Sequence, residues 1–383
     1  MQSLLWCVRS NDPNDRNSDG TTNTEILRWL NNPQRGKRMR RMKAKLDAKR
    51  CTCNGYRPGE SRCTRHFICG RIYKIRGEKL LLIEAIGKGS YGTVVKFYNE
   101  TKNIYFAAKM FPVCDFEEFA AEYSKLKVLN SFAHLTNNER IVQLFGYFEI
   151  EKHCFISMEL LSMPFSVLRE KWNQLDVFII RRLLLQLIEG IIFYSEPPLY
   201  LVHGDLKPWN IMIRGTDLEN FQLVILDFGL SNRAHTFDRQ GIQTLGYRAP
   251  EVMFEERYGK AIDMFSFGVL ALEMYCGGNV FAANTTHNCI TFMERILGRF
   301  EYFRNRTNNR ILLKMLQDTE YEIPKSLTLS QIFEIYIPEN EQKRQAEMKL
   351  HDLIKRSLEE IPTRRLTPIE AYKHQFFDSV RSI

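Results

Sequence analysis

Two short stretches at a fixed separation constrain this chain more than any other feature. Residues 203 to 210 read His-Gly-Asp-Leu-Lys-Pro-Trp-Asn, and Asp227-Phe228-Gly229 begins seventeen residues after Asn210. One carboxylate able to accept a proton, one lysine and two further oxygen ligands suit the movement of a phosphoryl group off a magnesium-bound nucleotide. Upstream, in the order such a site requires, stand a glycine-rich turn, Gly87-x-Gly89-x-x-Gly92-x-Val94, and Lys109. Each piece alone is commonplace, and the weight lies in their joint order and spacing.

The residue types fix the expected roles. Glycines at 87, 89 and 92 let the backbone approach triphosphate oxygens that side chains would otherwise block. Val94 suits one face of an adenine, and Lys109 suits the α- and β-phosphates. A lysine there needs a carboxylate partner if it is to be held and partly buried. Glu122 is the expected partner, pointing to the cleft while Leu126 and Leu129 form a core-facing stripe, with Glu118 as the fallback. Asp205 is the expected base for an acceptor hydroxyl, a role worth about 10²–10⁴ in rate. Lys207 neutralises the moving group, and Asn210 and Asp227 offer oxygen to Mg2+.

Length and charge set the frame. At 383 residues and 44% hydrophobic content the chain can bury a large core. The formal charge of +9 is concentrated at one end, because residues 1–78 carry 18 Lys/Arg against 7 Asp/Glu. The basic excess therefore belongs to an N-terminal extension, expected to be largely disordered, and not to the body. Within it, residues 35–50 hold nine basic residues and one acid. That run suits recognition by nuclear import machinery or a phosphate-binding patch, or else is a solvated linker. Nucleic acid is not an expected partner, since no stacking aromatic alternates with the charges.

Nine cysteines form no regular framework, and Met1 to Val8 lacks the basic lead and apolar run of a signal peptide. Reduced thiols and an intracellular location, nucleus or cytoplasm, are expected. Cys51, Cys53, Cys63, His66 and Cys69 fall close together, but their spacing matches no common zinc finger. The longest apolar helical stretch, Asp176 to Tyr194, contains Arg181, Arg182, Gln186 and Glu189, so a membrane span is not expected.

The coarse pattern changes twice. Strand-like runs at Leu80–Ile86, Thr93–Phe97 and Ile104–Met110 precede a helical stretch at Glu117–Leu129 and two further strands at Arg140–Phe148 and Cys154–Glu159. After Pro164 the chain is mainly helical. Ile262–Tyr275 is apolar on almost every face and is expected to form a buried central helix. Residues 283–350 read as an inserted helical region of mixed polarity.

From Lys79 to Phe377 these motifs resemble the eukaryotic protein kinases. Ala249-Pro250-Glu251 matches the end of that family's activation segment, Asp263 its buried helical aspartate, and Arg365 the arginine that pairs with Glu251. The resemblance implies an α+β, bilobal protein kinase fold over residues 79–377, with a small antiparallel-sheet N-lobe (79–158) and a larger helical C-lobe (162–377). It also implies ATP and Mg2+ as cofactors and protein substrates as partners. ATP is then expected to meet Ile86, Gly87, Lys88, Gly89, Ser90, Tyr91, Gly92, Thr93, Val94, Ala107, Lys109, Glu122, Glu159 and Leu161.

Asp205-Leu206-Lys207-Pro208, with Thr244 before Tyr247, is similar to the serine/threonine branch, in which that threonine contacts the catalytic Asp and Lys. Tyr247-Arg248-Ala249-Pro250-Glu251 and Ala261-Ile262-Asp263-Met264 resemble the CMGC group. Pro197-Pro198-Leu199 and Glu159-Leu160-Leu161 look most like its dual-specificity tyrosine-regulated and homeodomain-interacting members.

Departures matter as much as matches. Gly204 replaces the arginine that usually precedes the base, and Gly241 stands where those relatives carry an activating tyrosine. Activity is therefore expected not to require phosphorylation of an activation-loop tyrosine. Leu245 replaces a basic residue tied to preference for proline after the acceptor, and Trp209 replaces a glutamate. The rival expectation is a pseudokinase scaffold, against which Lys109, Asp205, Asn210 and Asp227 are all present.

Overall fold

The computed structural model describes residues 69–383 apart from 90–91, 113–114, 152, 168–174, 216–220, 234–240, 320–326, 336–337, 339 and 382–383. Residues 1–68 of the expected disordered extension, with its basic run and Cys51, Cys53, Cys63 and His66, lie outside the described residues. The remainder of it is described and includes a strand at Ile72–Ile75, and Cys69 is an exposed free thiol. The chain divides into two compact units between Ser162 and Met163.

The N-terminal unit is one antiparallel sheet with a helix. Strands β1 (Ile72–Ile75), β2 (Glu78–Gly89), β3 (Gly92–Asn99), β4 (Ile104–Pro112), β5 (Leu144–Ile150) and β6 (His153–Glu159) lie in the order β1-β2-β3-β4-β6-β5. Alternation along β3 buries Val95 and Phe97 on one face and leaves Lys96 and Tyr98 half-exposed. Phe97 is the centre of the core, stacked on Phe106 at 5.5 Å and edge-on to Phe148 at 5.6 Å and Phe155 at 5.9 Å. The sheet curls until its edge strands approach, where Arg76 lies over the Tyr147 ring at 5.2 Å.

Helix α1 (Phe116–Leu135) covers β4, β5 and β6, with Phe119 against Phe111 and Tyr147. Glu122, Leu126 and Leu129 are all buried on this helix, and their i, i+4, i+7 spacing puts them on one face. Glu122 therefore shares a face with the two leucines and does not stand apart from their stripe.

The sheet also starts earlier than the sequence pattern indicated, because β1 pairs with β2 from Ile72 opposite Leu81 to Ile75 opposite Glu78. The strand expected from Arg140 begins only at Leu144. Asn130 on α1 explains the delay, donating to the Val142 carbonyl at 3.0 Å and accepting from the Leu144 amide at 2.7 Å. Its side-chain amide takes backbone groups that a ladder would otherwise pair.

The C-terminal unit is built on α2 (Val177–Ser195) and α4 (Ala261–Cys276), with a short α3 (Pro250–Met253) before α4. Asp176 caps α2 by accepting from the Phe178 amide at 2.9 Å, and Gly277 ends α4 in the left-handed region at φ 72°. Every residue from Ile262 to Tyr275 is buried, so α4 is the central helix expected. The region after residue 283 is helical: α5 (Thr286–Leu297), α6 (Glu301–Arg304), α7 (Arg310–Thr319), α8 (Leu329–Glu334) and α9 (Glu341–Ser357), followed by α10 (Pro368–Tyr372). Helix α9 packs on both α4 and α2. Where it meets α4, a Cβ on Gly268 would stand 2.9 Å from Leu358 and Ser357, which is why that position has no side chain.

Short strands carry the loops of interest. Strands β7 (Met163–Pro164), β9 (Ile211–Arg214) and β10 (Gln222–Ile225) form one sheet, and β8 (Leu201–Val202) pairs with β11 (Asn232–Arg233). Arg365 is fully buried and joins Glu251 through two hydrogen bonds of 2.8 and 3.0 Å. It also donates to the carbonyls of Ala261, Glu359 and Glu360, so the charge pair is satisfied on all sides.

On α9, burial pulls His351 down from 6.5 to about 4. Its ring stacks on Phe333 at 3.8 Å and meets the edge of Tyr275 at 4.9 Å. The folded imidazole stays neutral while the unfolded one takes a proton, so the unfolded chain binds more protons between these two values. This contribution to stability is whole above pH 6.5 and is lost as pH falls toward 4. Urea midpoints should accordingly fall over that window more in wild type than in His351→Phe; parallel pH profiles for the two proteins would exclude His351 as the cause.

Candidate active site

In the C-terminal unit the site is organised from beneath by Asp263. Its carboxylate accepts from the His203 amide at 2.6 Å, the Gly204 amide at 3.0 Å and the Tyr194 hydroxyl at 3.0 Å. Burial pushes the Asp263 carboxyl up, an effect the surrounding donors oppose, and burial beside Asp263 pushes the Tyr194 hydroxyl well up. The His203 ring then works in two directions. Its Nδ1 accepts from the Asp205 amide at 3.2 Å, which leaves Nε2 to donate to the Leu226 carbonyl at 2.8 Å. Phe228 is fully buried against this ring at 4.8 Å and against Tyr194 at 5.7 Å.

The β9–β10 ladder pairs Ile211 with Ile225, and the Leu226 amide donates to the Asn210 carbonyl at 2.9 Å. Asn210 and Asp227 therefore leave the same end of one hairpin. Asp227 has φ 57°, a conformation that aspartate tolerates better than most residues.

Asp205 is nearly buried and its oxygens are held from three sides. Oδ1 accepts from the Thr244 hydroxyl at 2.7 Å, while Oδ2 accepts from Lys207 Nζ at 2.7 Å and Asn210 Nδ2 at 3.1 Å. Lys207 also donates to Thr244 Oγ1 at 2.9 Å, closing a triangle. A carboxylate offers roughly four lone-pair positions, so one on Oδ1 is left for an incoming hydroxyl. Asn210 Nδ2 is committed to Asp205, including its carbonyl at 2.9 Å, which leaves the amide oxygen as the end for a cation.

Sequence reasoning missed Gln243. It is buried at φ 61°; its Nε2 donates to the carbonyls of Tyr247 and Ile262 and to Ser266 Oγ, and its Oε1 accepts from the Ala249 amide. Its backbone amide donates to the Gly204 carbonyl at 2.8 Å. No local pattern announces this role, because every partner lies on another element or across a turn. Gly204, at φ 75°, has no room beside this segment: a Cβ would meet Ile242 at 2.7 and 2.9 Å.

The N-terminal unit supplies a second group of residues. Gly87 pairs with Val94, Val94 with Lys109 and Lys109 with Ile156, so three expected nucleotide contacts form one row across adjacent strands. Lys109 and Glu122 are both buried, and Nζ lies 2.8 Å from each carboxylate oxygen. Ala107 is buried opposite Met158, Thr93 and Leu161 are buried, and Ile86 is exposed. Glu159 Oε1 accepts from the Gln143 amide at 2.8 Å, so that carboxylate ties the end of β6 to the residue before β5. Gly92 has φ 150°. Lys88 and Gly89 lie on β2, and Ser90 and Tyr91 lie outside the described residues.

These residues fit the expected cofactors. A Cβ on Gly87 would meet only Val94, at 3.7 Å, and its φ is not left-handed, so neither packing nor conformation demands glycine there. Close approach by a phosphate would. Among the described residues no group of three His, Cys, Asp or Glu could hold a metal. The pairing of one amide and one carboxylate oxygen suits Mg2+, which takes its remaining ligands from phosphate and water.

Comparison with known proteins agrees with this geometry. The protein kinase domain family matches residues 81–377. The chain is 27% identical over 347 residues to the dual specificity protein kinase CLK4 of Homo sapiens, covering 82% of this chain and 69% of that one. It is 26% identical over 330 residues to the dual specificity protein kinase lkh1 of Schizosaccharomyces pombe, covering 77% of this chain and 46% of the relative. A third relative is the dual specificity tyrosine-phosphorylation-regulated kinase 2 of Drosophila melanogaster, 26% identical over 317 residues, with 77% and 41% covered. The chain thus spans less than half the length of the last two. Among the described residues no helix is long and apolar enough to cross a membrane. With the family's match running from within β2 to the turn that follows α10, the chain belongs to the protein kinase family.

Proposed function

We propose that this chain phosphorylates serine and threonine hydroxyls of protein substrates with ATP, and does so without phosphorylation of an activation-segment tyrosine. The observation that carries the reading is the Asp205 carboxylate, fixed by Lys207, Asn210 and Thr244 with one acceptor position unfilled. The acceptor hydroxyl donates to Asp205 Oδ1, and its proton passes there as its oxygen bonds to the γ-phosphorus and the bond from that phosphorus to the β–γ bridging oxygen breaks, releasing ADP. Bound magnesium-ATP supplies the phosphoryl group and, through the metal, neutralises its charge. Lys109, held by Glu122, binds phosphate oxygens; Asn210 and Asp227 hold the cation; Lys207 offsets charge beside the base. Tyrosine is included as an acceptor on the strength of relatives described as dual specificity kinases. Among the described residues nothing at the site favours a scaffold without phosphoryl transfer.

Independence from phosphotyrosine rests on Gly204, Gly241 and Gln243. Without a cation at 204 or a tyrosine at 241, a phosphate has neither its usual partner nor its usual carrier. The neutral Gln243 amide ties the segment to α4 instead, through Ile262 and Ser266. Import into the nucleus through residues 35–50 remains part of the proposal.

Asp205→Asn should lower kcat by about 10²–10⁴ while ATP affinity is kept, as read by radiolabelled phosphate transfer and nucleotide titration. Treatment with a tyrosine phosphatase should leave activity intact; its loss would overturn the second half of the proposal. Gln243→Glu places acceptors against three acceptors, each lost bond costing about 1–3 kcal/mol. A lowered Tm together with a lowered kcat is expected, and a wild-type kcat would show that the segment is held by other means.

A further inference from the structure

The turn that carries the catalytic asparagine also displays an indole. Lys207 is extended, Pro208 opens a single 3-10 turn that ends at Asn210, and Ile211 is extended again. Pro208 and Asn210 are buried, whereas Trp209 between them is 57% exposed. Among the described residues Trp209 makes neither a hydrogen bond nor a ring contact. Single exposed apolar residues are ordinary on a protein surface, so it is the place of this indole that carries information.

Its position indicates which partner. Lys207 and Asn210, on either side, both donate to Asp205 Oδ2. The indole is thus fixed at the edge of the surface that an acceptor hydroxyl must reach. An extended polypeptide advances about 3.3–3.6 Å per residue, so a substrate side chain within roughly three positions of the acceptor comes within reach. Lys207, two residues before the indole and bonded to Asp205, disfavours a basic side chain there. Acidic side chains gain nothing from the face of an aromatic ring, whose electron density is negative.

We propose that Trp209 is a specificity-determining contact for the polypeptide substrate, receiving a bulky apolar side chain that flanks the acceptor hydroxyl. The proposal rests on the kinase reading above and adds to it the class of peptide preferred.

A positional peptide library phosphorylated by the full chain tests it, with W209A and W209F in parallel. Wild type should favour Leu, Met or Phe over Ala at one position within three of the acceptor, by about ten-fold in kcat/KM and chiefly through KM. That ratio should fall close to one in W209A and persist in W209F. The same apolar preference in wild type and W209A overturns the proposal alone, as does a W209A defect confined to kcat, which would mark a role in shaping the turn. Failure of the wild type to phosphorylate any member of the library overturns the kinase reading and this proposal with it.

Discussion

A carboxylate sealed from water is tolerable only when donors surround it, and Asp263 is met by two backbone amides and a phenol. This one side chain on the central helix fixes the backbone at His203 and Gly204. The order of the site then propagates outward: the His203 ring, once placed, ties the Asp205 amide to the Leu226 carbonyl, and Leu226 in turn holds Asn210. The proposed base and cation ligands are therefore set by a chain of neutral and charged hydrogen bonds rooted in the core. Precision of this kind is what preorganised catalysis requires, since groups already in place need no rearrangement during the reaction.

The same root serves the segment that ends at Tyr247. Gln243 meets Gly204 from above and α4 from the side, so the loop bearing Asp205 and the loop bearing Thr244 share a support. Under the proposed function this explains how an arginine can be absent at position 204. A charged partner holds a segment only while the phosphate is present, whereas an amide with satisfied donors and acceptors holds it at all times.

Much of this was readable in the chain, and the exceptions have physical reasons. Alternation in Thr93–Phe97 and continuous apolarity in Ile262–Tyr275 report burial directly, so the strands and the central helix were legible. The pair Lys109–Glu122 was legible because an isolated buried charge must find a partner, and Glu251–Arg365 only through the resemblance to the kinase family. By contrast β1 was hidden, since four residues in a basic region gain their strand character only from pairing with β2. Asn130 and Gln243 were hidden for the same reason: a side-chain amide that satisfies distant backbone groups leaves no periodic trace. The Glu122 carboxylate reaches Lys109 from the same face of α1 as Leu126 and Leu129, a shared face that the polar character of the residue did not announce.

The bond between Arg365 and Glu251 joins positions 114 apart in the chain. Helix α3, at the end of the activation segment, is consequently finished by a residue made only when nearly the whole domain has emerged from the ribosome. Until then Glu251 has no cation to meet, so the C-terminal unit matures late in synthesis. Recombinant fragments that stop short of Arg365 would carry a stranded anion in their interior, which sets the shortest useful truncation.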